Sequence, residues 1–274
     1  MAVVLITGCS SGFGRLAAVE MARRGDVVFA SMRDLSKAGG LRGDADGAGV
    51  SIEIVELDVT SRHSVDAAVS QVLAKAGRID VVVNNAGIGV WSPVECYSDE
   101  EMGAAFETNV FGVHRVTRAV LPAMRKQRSG TIVLISSISG FYTWPFGGVY
   151  CATKHAAEAL YDALYFELRP FGIQVVIIEP GNFATDVVNN LHITSAWTEK
   201  ASDPAYVPLA RAATRQNQPA QEDGDAAVVA RLIADVAHEA RPERRYLAGD
   251  DAIRRAQQTS DEREREMWRR IGYE

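Results

Sequence analysis

Residues 2–15 read AVVLITGCSSGFGR. Five apolar residues, Ala2 to Ile6, run straight into a turn with glycine at positions 8, 12 and 14, and a helix begins at about Arg15. A short apolar run bounded by glycine reads as a strand buried on both faces. A glycine-rich turn between strand and helix presents backbone N–H groups to an anion, and the helix dipole adds partial positive charge at the same place. Glycine is needed there because a Cβ would keep a pyrophosphate at a distance. Gly8, Ser10, Ser11, Gly12, Phe13 and Gly14 are therefore candidate ligands of a dinucleotide. Their spacing is G-x-x-x-G-x-G, not G-x-G-x-x-G, so the placement between first strand and first helix weighs more than the glycines alone.

Further strands are expected at 27–31, 52–57, 79–83, 131–136, 173–178 and 245–248. Helical stripes alternate with them: Val65, Ala68, Val69, Val72, Leu73 and Ala76; then Phe106, Val110, Val113, Val120, Leu121 and Met124; then Ala156, Ala159, Leu160, Ala163, Leu164 and Leu168. Strand–helix alternation implies a doubly wound parallel sheet of Rossmann type, about seven strands with helices on both faces. The chain reads as a single domain over 1–274. Residues 186–222, with three prolines, read as a mobile substrate lid with few apolar anchors. The charged tail or helix at 250–274, and above all 254–270, reads as solvated.

At 47% hydrophobic and 23% charged residues, the 274-residue chain has the balance of a folded globular protein. A net charge of −6 gives no general attraction to nucleic acid or anionic lipid. No apolar run is long enough for a membrane span. Cys9, Cys96 and Cys151 and five scattered histidines make no metal-ligand pattern, so no metal is expected, and a cytoplasmic setting is the simplest.

The second strand ends Ser31-Met32-Arg33-Asp34. An acid at its end would bind the ribose hydroxyls of NAD(H). Met32 occupies the place expected for that acid, and the Arg33 guanidinium suits a 2′-phosphate by charge and shape, so NADP(H) is preferred. With the register shifted, Asp34 would serve NAD(H) instead. Arg33 could also simply pair with Asp34 on the surface.

Tyr150 and Lys154 are four residues apart, on one face of a helix. An ammonium near the phenol favours phenolate and should bring its pKa, ordinarily about 10, toward neutral, which makes Tyr150 a general acid or base. Ser137, thirteen residues upstream and just after an apolar strand, can hold the substrate oxygen beside it.

TGCSSGFG, Asn84-Asn85-Ala86-Gly87, Ser137, Tyr150-x-x-x-Lys154 and Pro180-Gly181 follow one another in the order and spacing of the short-chain dehydrogenases/reductases, and the chain resembles that family over about residues 2–185. LITGCSSGFG, SMRDL and VYCATKHAAE are similar to its hydroxysteroid and retinol dehydrogenase branch. The resemblance implies further roles. Lys154 would also bind the nicotinamide ribose, and Asn109 would complete a proton relay. Asn85, Ala86 and Gly87 would lie along the cofactor, with Asp58 and Val59 beside the adenine. Thr185 and the backbone after Pro180, with Gly181 and Phe183, would fix the carboxamide. Pocket-lining positions correspond to Trp91, Ser137, Ser139, Tyr142, Trp144, Phe146, Val188 and Leu191, an apolar and aromatic wall suited to a bulky ketone or alcohol. Helices at 104–127 and 150–169 would each leave a face for a homodimer or homotetramer. The expected activity is an NADP(H)-preferring alcohol dehydrogenase or carbonyl reductase. The alternatives are a non-catalytic dinucleotide-binding regulator and an NAD-dependent catabolic alcohol dehydrogenase.

Overall fold

A computed structural model of the chain describes residues 1–183, 185, 191–200, 203–216 and 224–271. Its strands are β1 (Val3–Ile6), β2 (Val27–Met32), β3 (Glu53–Glu56), β4 (Val81–Asn84), β5 (Gly130–Ile135), β6 (Ile173–Pro180) and β7 (Arg245–Ala248). They form one seven-stranded sheet in the order β3-β2-β1-β4-β5-β6-β7, with every neighbouring pair parallel. The helices are α1 (Gly12–Arg23), α2 (Gly39–Ala48), α3 (Arg62–Ala76), α4 (Asp99–Phe106), α5 (Val113–Gln127), α6 (Gly148–Leu168), α7 (Ser195–Lys200), α8 (Val207–Gln216), α9 (Ala226–His238), α10 (Asp250–Gln257) and α11 (Ser260–Ile271).

β1 shows why these strands are apolar throughout. Val3 and Leu5 face a layer built from Val65 and Val69 of α3, Val116 and Val120 of α5, and Tyr161 of α6. Val4 and Ile6 face the opposite layer, with Ala17, Ala18 and Met21 of α1 and Val229 and Ile233 of α9. Successive side chains of a strand point to opposite faces, so a strand between two helix layers needs apolar residues at every position. The order of the strands reverses at β1, between β2 and β4. Sheets of this kind bind ligands in the crevice at such a point, outside the carboxyl ends of the strands.

Three helical expectations change. The stretch around Asn109 is not one α-helix: residues Glu107–Gly112 form a π-helical segment between α4 and α5. Within it the Asn109 side chain bonds the backbone of Ile88 in both directions, accepting from N at 2.8 Å and donating to O at 2.9 Å. Such segments often lie at functional sites. On α6 the expected stripe divides: Ala159, Leu160 and Ala163 are exposed, Leu164 and Leu168 pack on the core, and Thr153, Lys154, Ala157, Glu158 and Tyr161 are buried beside them. The inner face carries polar groups whose partners come from other segments: Asn109 for Thr153, Ile135 for Lys154, Ser136 and Arg245 for Glu158, and Asn84 and Thr117 for Tyr161.

The C-terminal charge run is also not simply solvated. Arg255 is buried and its guanidinium lies 4.5 Å from the ring centroid of Tyr142. Arg263 donates to the carbonyl of Phe141 at 3.1 Å. Both arginines clamp α10 and α11 onto the loop that follows Ser137. Guanidinium planes stack on aromatic rings and bury their stems, which lets a charge run pack.

Candidate active site

The glycine turn lies at the crevice. Ser11 is extended at the N-cap of α1 and makes no side-chain cap bond, so the first N–H groups of the helix are left for an outside acceptor. Gly12 has φ +57°, and a Cβ there would meet nothing nearer than Thr185 at 3.8 Å. Gly8 and Gly14 are glycine for a different reason. A Cβ on Gly8 would come within 2.8 Å of the Ala86 backbone, and one on Gly14 would overlap the Asn85 amide. The Asn85 amide donates to the carbonyls of Thr7 and Gly8 at 2.9 and 3.1 Å, and the N–H groups of Asn85 and Ala86 both donate to Thr7 Oγ1 at 3.0 Å. Asn85 and Ala86 thus brace the turn, and Thr7, which sequence reasoning passed over, is the knot. Phe13 packs edge-on against Phe183 at 5.7 Å. An uncapped helix N-terminus beside an open glycine fits the pyrophosphate of a dinucleotide.

At the end of β2, Met32 is buried and Arg33 is exposed. Asp34 accepts from Ser36 N at 3.0 Å and Ser36 Oγ at 2.6 Å. These bonds hold its carboxyl below the usual range. Asp34 therefore serves Ser36 rather than a surface pair with Arg33. After β3, Asp58 accepts from the N–H and hydroxyl of Thr60 at 2.9 and 2.7 Å, and Val59 packs so close to Gly112 that a Cβ there would meet it at 2.8 Å.

The polar set meets where β4 and β5 end. Ser137 caps the turn after β5, its hydroxyl accepting from Ser139 N at 3.1 Å. Tyr150 stands in the first turn of α6, where the Ser137 hydroxyl interacts with its phenol and favours the phenolate. Lys154 Nζ donates to the carbonyl of Ile135 at 3.0 Å and lies 5.7 Å from the centroid of the Tyr150 ring. Asn109 Nδ2 donates to Thr153 Oγ1 at 3.1 Å. A Cβ on Gly87 would be 3.2 Å from Asn109 Oδ1 and 3.9 Å from Lys154 Nζ. Burial pushes the Tyr150 phenol up to about 12, with the nearby Ser137 hydroxyl opposing. Burial brings the Lys154 ammonium down to about 8, with Glu158 opposing. The expected shift of the phenol toward neutral is thus reversed in this structure. The ammonium lies over the ring and is bonded to Ile135, so desolvation of the phenolate wins. Burial also raises the Cys151 thiol, which makes it a packing residue.

The aromatic residues divide. Trp91 and Phe146 are buried with ring centroids 5.0 Å apart, and Phe146 meets Trp197 of α7 at 6.0 Å. Trp197 thereby anchors α7 to this cluster. Phe146 holds φ +67°, a rare conformation for a bulky residue, while its carbonyl accepts from Ser92 N at 2.9 Å. Trp144 donates to Ser139 Oγ at 2.9 Å. Tyr142 is buried beneath Arg255 rather than facing a cavity. Leu191 and Trp144 remain partly open beside the Trp91–Phe146 cluster. Val188 lies outside the described residues, as do 186–190, 201–202 and 217–223 of the expected lid. Gly181 N donates to the Ala248 carbonyl at 2.8 Å, tying the end of β6 to β7.

The description short chain dehydrogenase matches residues 2–195. The chain belongs to the short-chain dehydrogenase family. Among curated relatives, the 3-ketodihydrosphingosine reductase of Bacteroides thetaiotaomicron is 39% identical over 70% of this chain and 68% of its own. Retinol dehydrogenase 8 of Bos taurus is 36% identical over 87% of this chain and 78% of its own. The 17-beta-hydroxysteroid dehydrogenase type 1 of Mus musculus is 42% identical over 65% of this chain and 53% of its own. This short-chain dehydrogenase therefore resembles the hydroxysteroid and retinol branch. A short-chain dehydrogenase from Streptomyces avermitilis superposes with a TM-score of 0.82 at 34% identity, covering 100% of this chain and 98% of that one. ElxO with NADP bound superposes at 0.73 and 26% identity, covering 90% and 97%. Among the described residues no helix is long and apolar enough to cross a membrane.

Proposed function

We propose that this short-chain dehydrogenase interconverts a bulky apolar secondary alcohol and its ketone, with NADP(H) as the preferred cofactor. The meeting of Ser137, Tyr150, Lys154 and Asn109 beside an uncapped helix N-terminus carries the proposal. The nicotinamide, when bound, supplies or accepts the hydride. Ser137 holds the substrate oxygen. Tyr150 exchanges the proton with that oxygen; as a neutral phenol it is in the form that donates to a developing alkoxide. Lys154 and Asn109 support the relay behind it, and Lys154 also takes the cofactor ribose. Gly8 to Gly14, Asn85 to Gly87, Asp58, Val59 and the backbone from Pro180 to Thr185 hold the cofactor.

The substrate class rests on Trp144 and Leu191 beside the Trp91–Phe146 cluster, and on relatives whose names speak of retinol, ketodihydrosphingosine and hydroxysteroid. Trp197 of α7, seated on Phe146, would hold the described part of the expected lid beside this wall. The outward face of α6, with Leu160 and Phe166, joins Phe111 in a homo-oligomer interface. Phe166→Asp is expected to shift the protein toward monomer in sedimentation, with unchanged circular dichroism; an unchanged sedimentation coefficient would place the interface elsewhere.

NADP(H) follows from Arg33, exposed at the end of β2 while Asp34 is held by Ser36. Fluorescence titration at matched ionic strength should give tighter binding of NADPH than NADH. Arg33→Ala should cost about 10- to 100-fold in NADPH affinity, the worth of charge-assisted phosphate bonds, and leave NADH unchanged. Equal affinities in the unaltered protein would overturn the preference and return the ribose to Asp34.

A further inference from the structure

One turn beyond Lys154, α6 carries a buried carboxylate, Glu158, with a side chain only 5% exposed. Glu158 accepts from Ser136 Oγ at 2.5 Å and pairs with Arg245 Nη1. The same guanidinium reaches Glu179 at 2.7 Å and Asp162 at 2.7 and 2.9 Å. A Cβ on Gly140 would overlap Glu158 Oε1, so the glycine leaves the carboxylate its seat. The network joins α6 to the end of β5, to β6 and to β7. Ser136 sits between Ile135, whose carbonyl holds Lys154, and Ser137. Glu179 precedes Pro180 at the end of β6, and Arg245 opens β7.

An apolar side chain would be cheaper to bury at this position than an ion network. The cost points to a use for the charge. Around Lys154 Nζ the structure places the Ile135 carbonyl and the Tyr150 ring, with Asn109 Oδ1 on the same side of Gly87, while Glu158 lies one turn along the buried face of α6, beyond ion-pair distance. Around Glu158 it places Ser136, Arg245 and, through that arginine, Glu179 and Asp162.

We propose that Glu158 is a positioning residue for this site: seated by Ser136, Gly140 and Arg245, its carboxylate holds Lys154 in its charged form and in register with Tyr150. The proposal rests on the reaction assigned above to Tyr150 and Lys154. Removing an ammonium from water favours loss of its proton, and a nearby carboxylate opposes that loss. Arg245 brings one positive charge to three acids. Burial and the proximity of Glu158 push Glu179 up to about 7.

The chain has five lysines. Labelling them with carbon-13 at Cε gives few resonances, and Lys154→Met identifies the one of interest. In Glu158→Gln, which keeps the shape, the Lys154 titration is expected to fall by about one pH unit or more. The alkaline limb of kcat should fall with it, while substrate KM stays. Asp162→Asn, which loses a charge farther along the helix, should lower stability and leave the Lys154 resonance in place. An unmoved Lys154 titration in folded Glu158→Gln overturns the proposal. If Glu158→Gln does not fold, Ser136→Ala decides in the same way, through a smaller downward shift or none. A resonance that moves in a protein with no turnover on any ketone would support the positioning and overturn the assigned reaction instead.

Discussion

Tyr150→Phe is expected to lower kcat by about a thousandfold, within the range that general acid–base groups contribute. NADPH affinity should change little. The substitution removes one hydroxyl, on the side of the ring near Ser137, and leaves the ring that lies under Lys154 Nζ. The glycine turn that would hold the pyrophosphate is braced by Thr7 and Asn85, well apart in the sequence. Binding and chemistry should therefore separate, with kcat falling and cofactor titration unchanged. Single-turnover measurement with NADPH and an aromatic ketone reads the chemical step directly. Retention of more than about a tenth of the rate would mean another group moves the proton.

The second large effect is on stability. Arg245→Leu leaves Glu158 and Glu179 in the interior without their cation. Breaking a buried pair in this way costs about 3–5 kcal/mol, or a fall in Tm of about 10 °C for a chain of this size. The loss should depend on pH in a defined direction. Glu179 already holds its proton up to about 7 in the folded protein, above the usual carboxylate value, and loss of Arg245 raises it further. Between the unfolded and folded values the folded state binds more protons than the unfolded state. Stability therefore falls as pH rises through that window. The variant should be weakest at about pH 8 and partly restored at about pH 5. A loss of under about 2 °C, equal at both pH values, would mean that the two acids are hydrated or paired by another route.

Much of this molecule was legible in one dimension. Each expected strand is present with ends within two residues of the window read from its apolar run. Gly8, Gly12 and Gly14 lie at the turn after β1, and Tyr150 and Lys154 share a face of α6. These features depend on near neighbours. A strand between two helix layers must be apolar at every position, and a spacing of four on a helix brings two side chains to one side.

The chain order could not say which face of α6 turns inward. Its outer face is the more apolar one, with Leu160 and Phe166 exposed, while the inner face holds Lys154 and Glu158. A charged residue is buried only where partners from other segments meet it, and those partners, Ser136 and Arg245, lie 22 and 87 residues away. The same holds for Arg255 and Arg263, which read as solvent-facing charges until Tyr142 and Phe141 are placed beneath them. It holds for the Tyr150 phenol as well. Proximity to lysine on a helix promised a lowered pKa, and burial raised it to about 12. Local pattern specifies the strands, the turn and the spacing of the catalytic candidates. Burial, pairing and proton affinity belong to the tertiary structure, because each is an energy of removing a group from water, and that energy depends on everything that replaces the water.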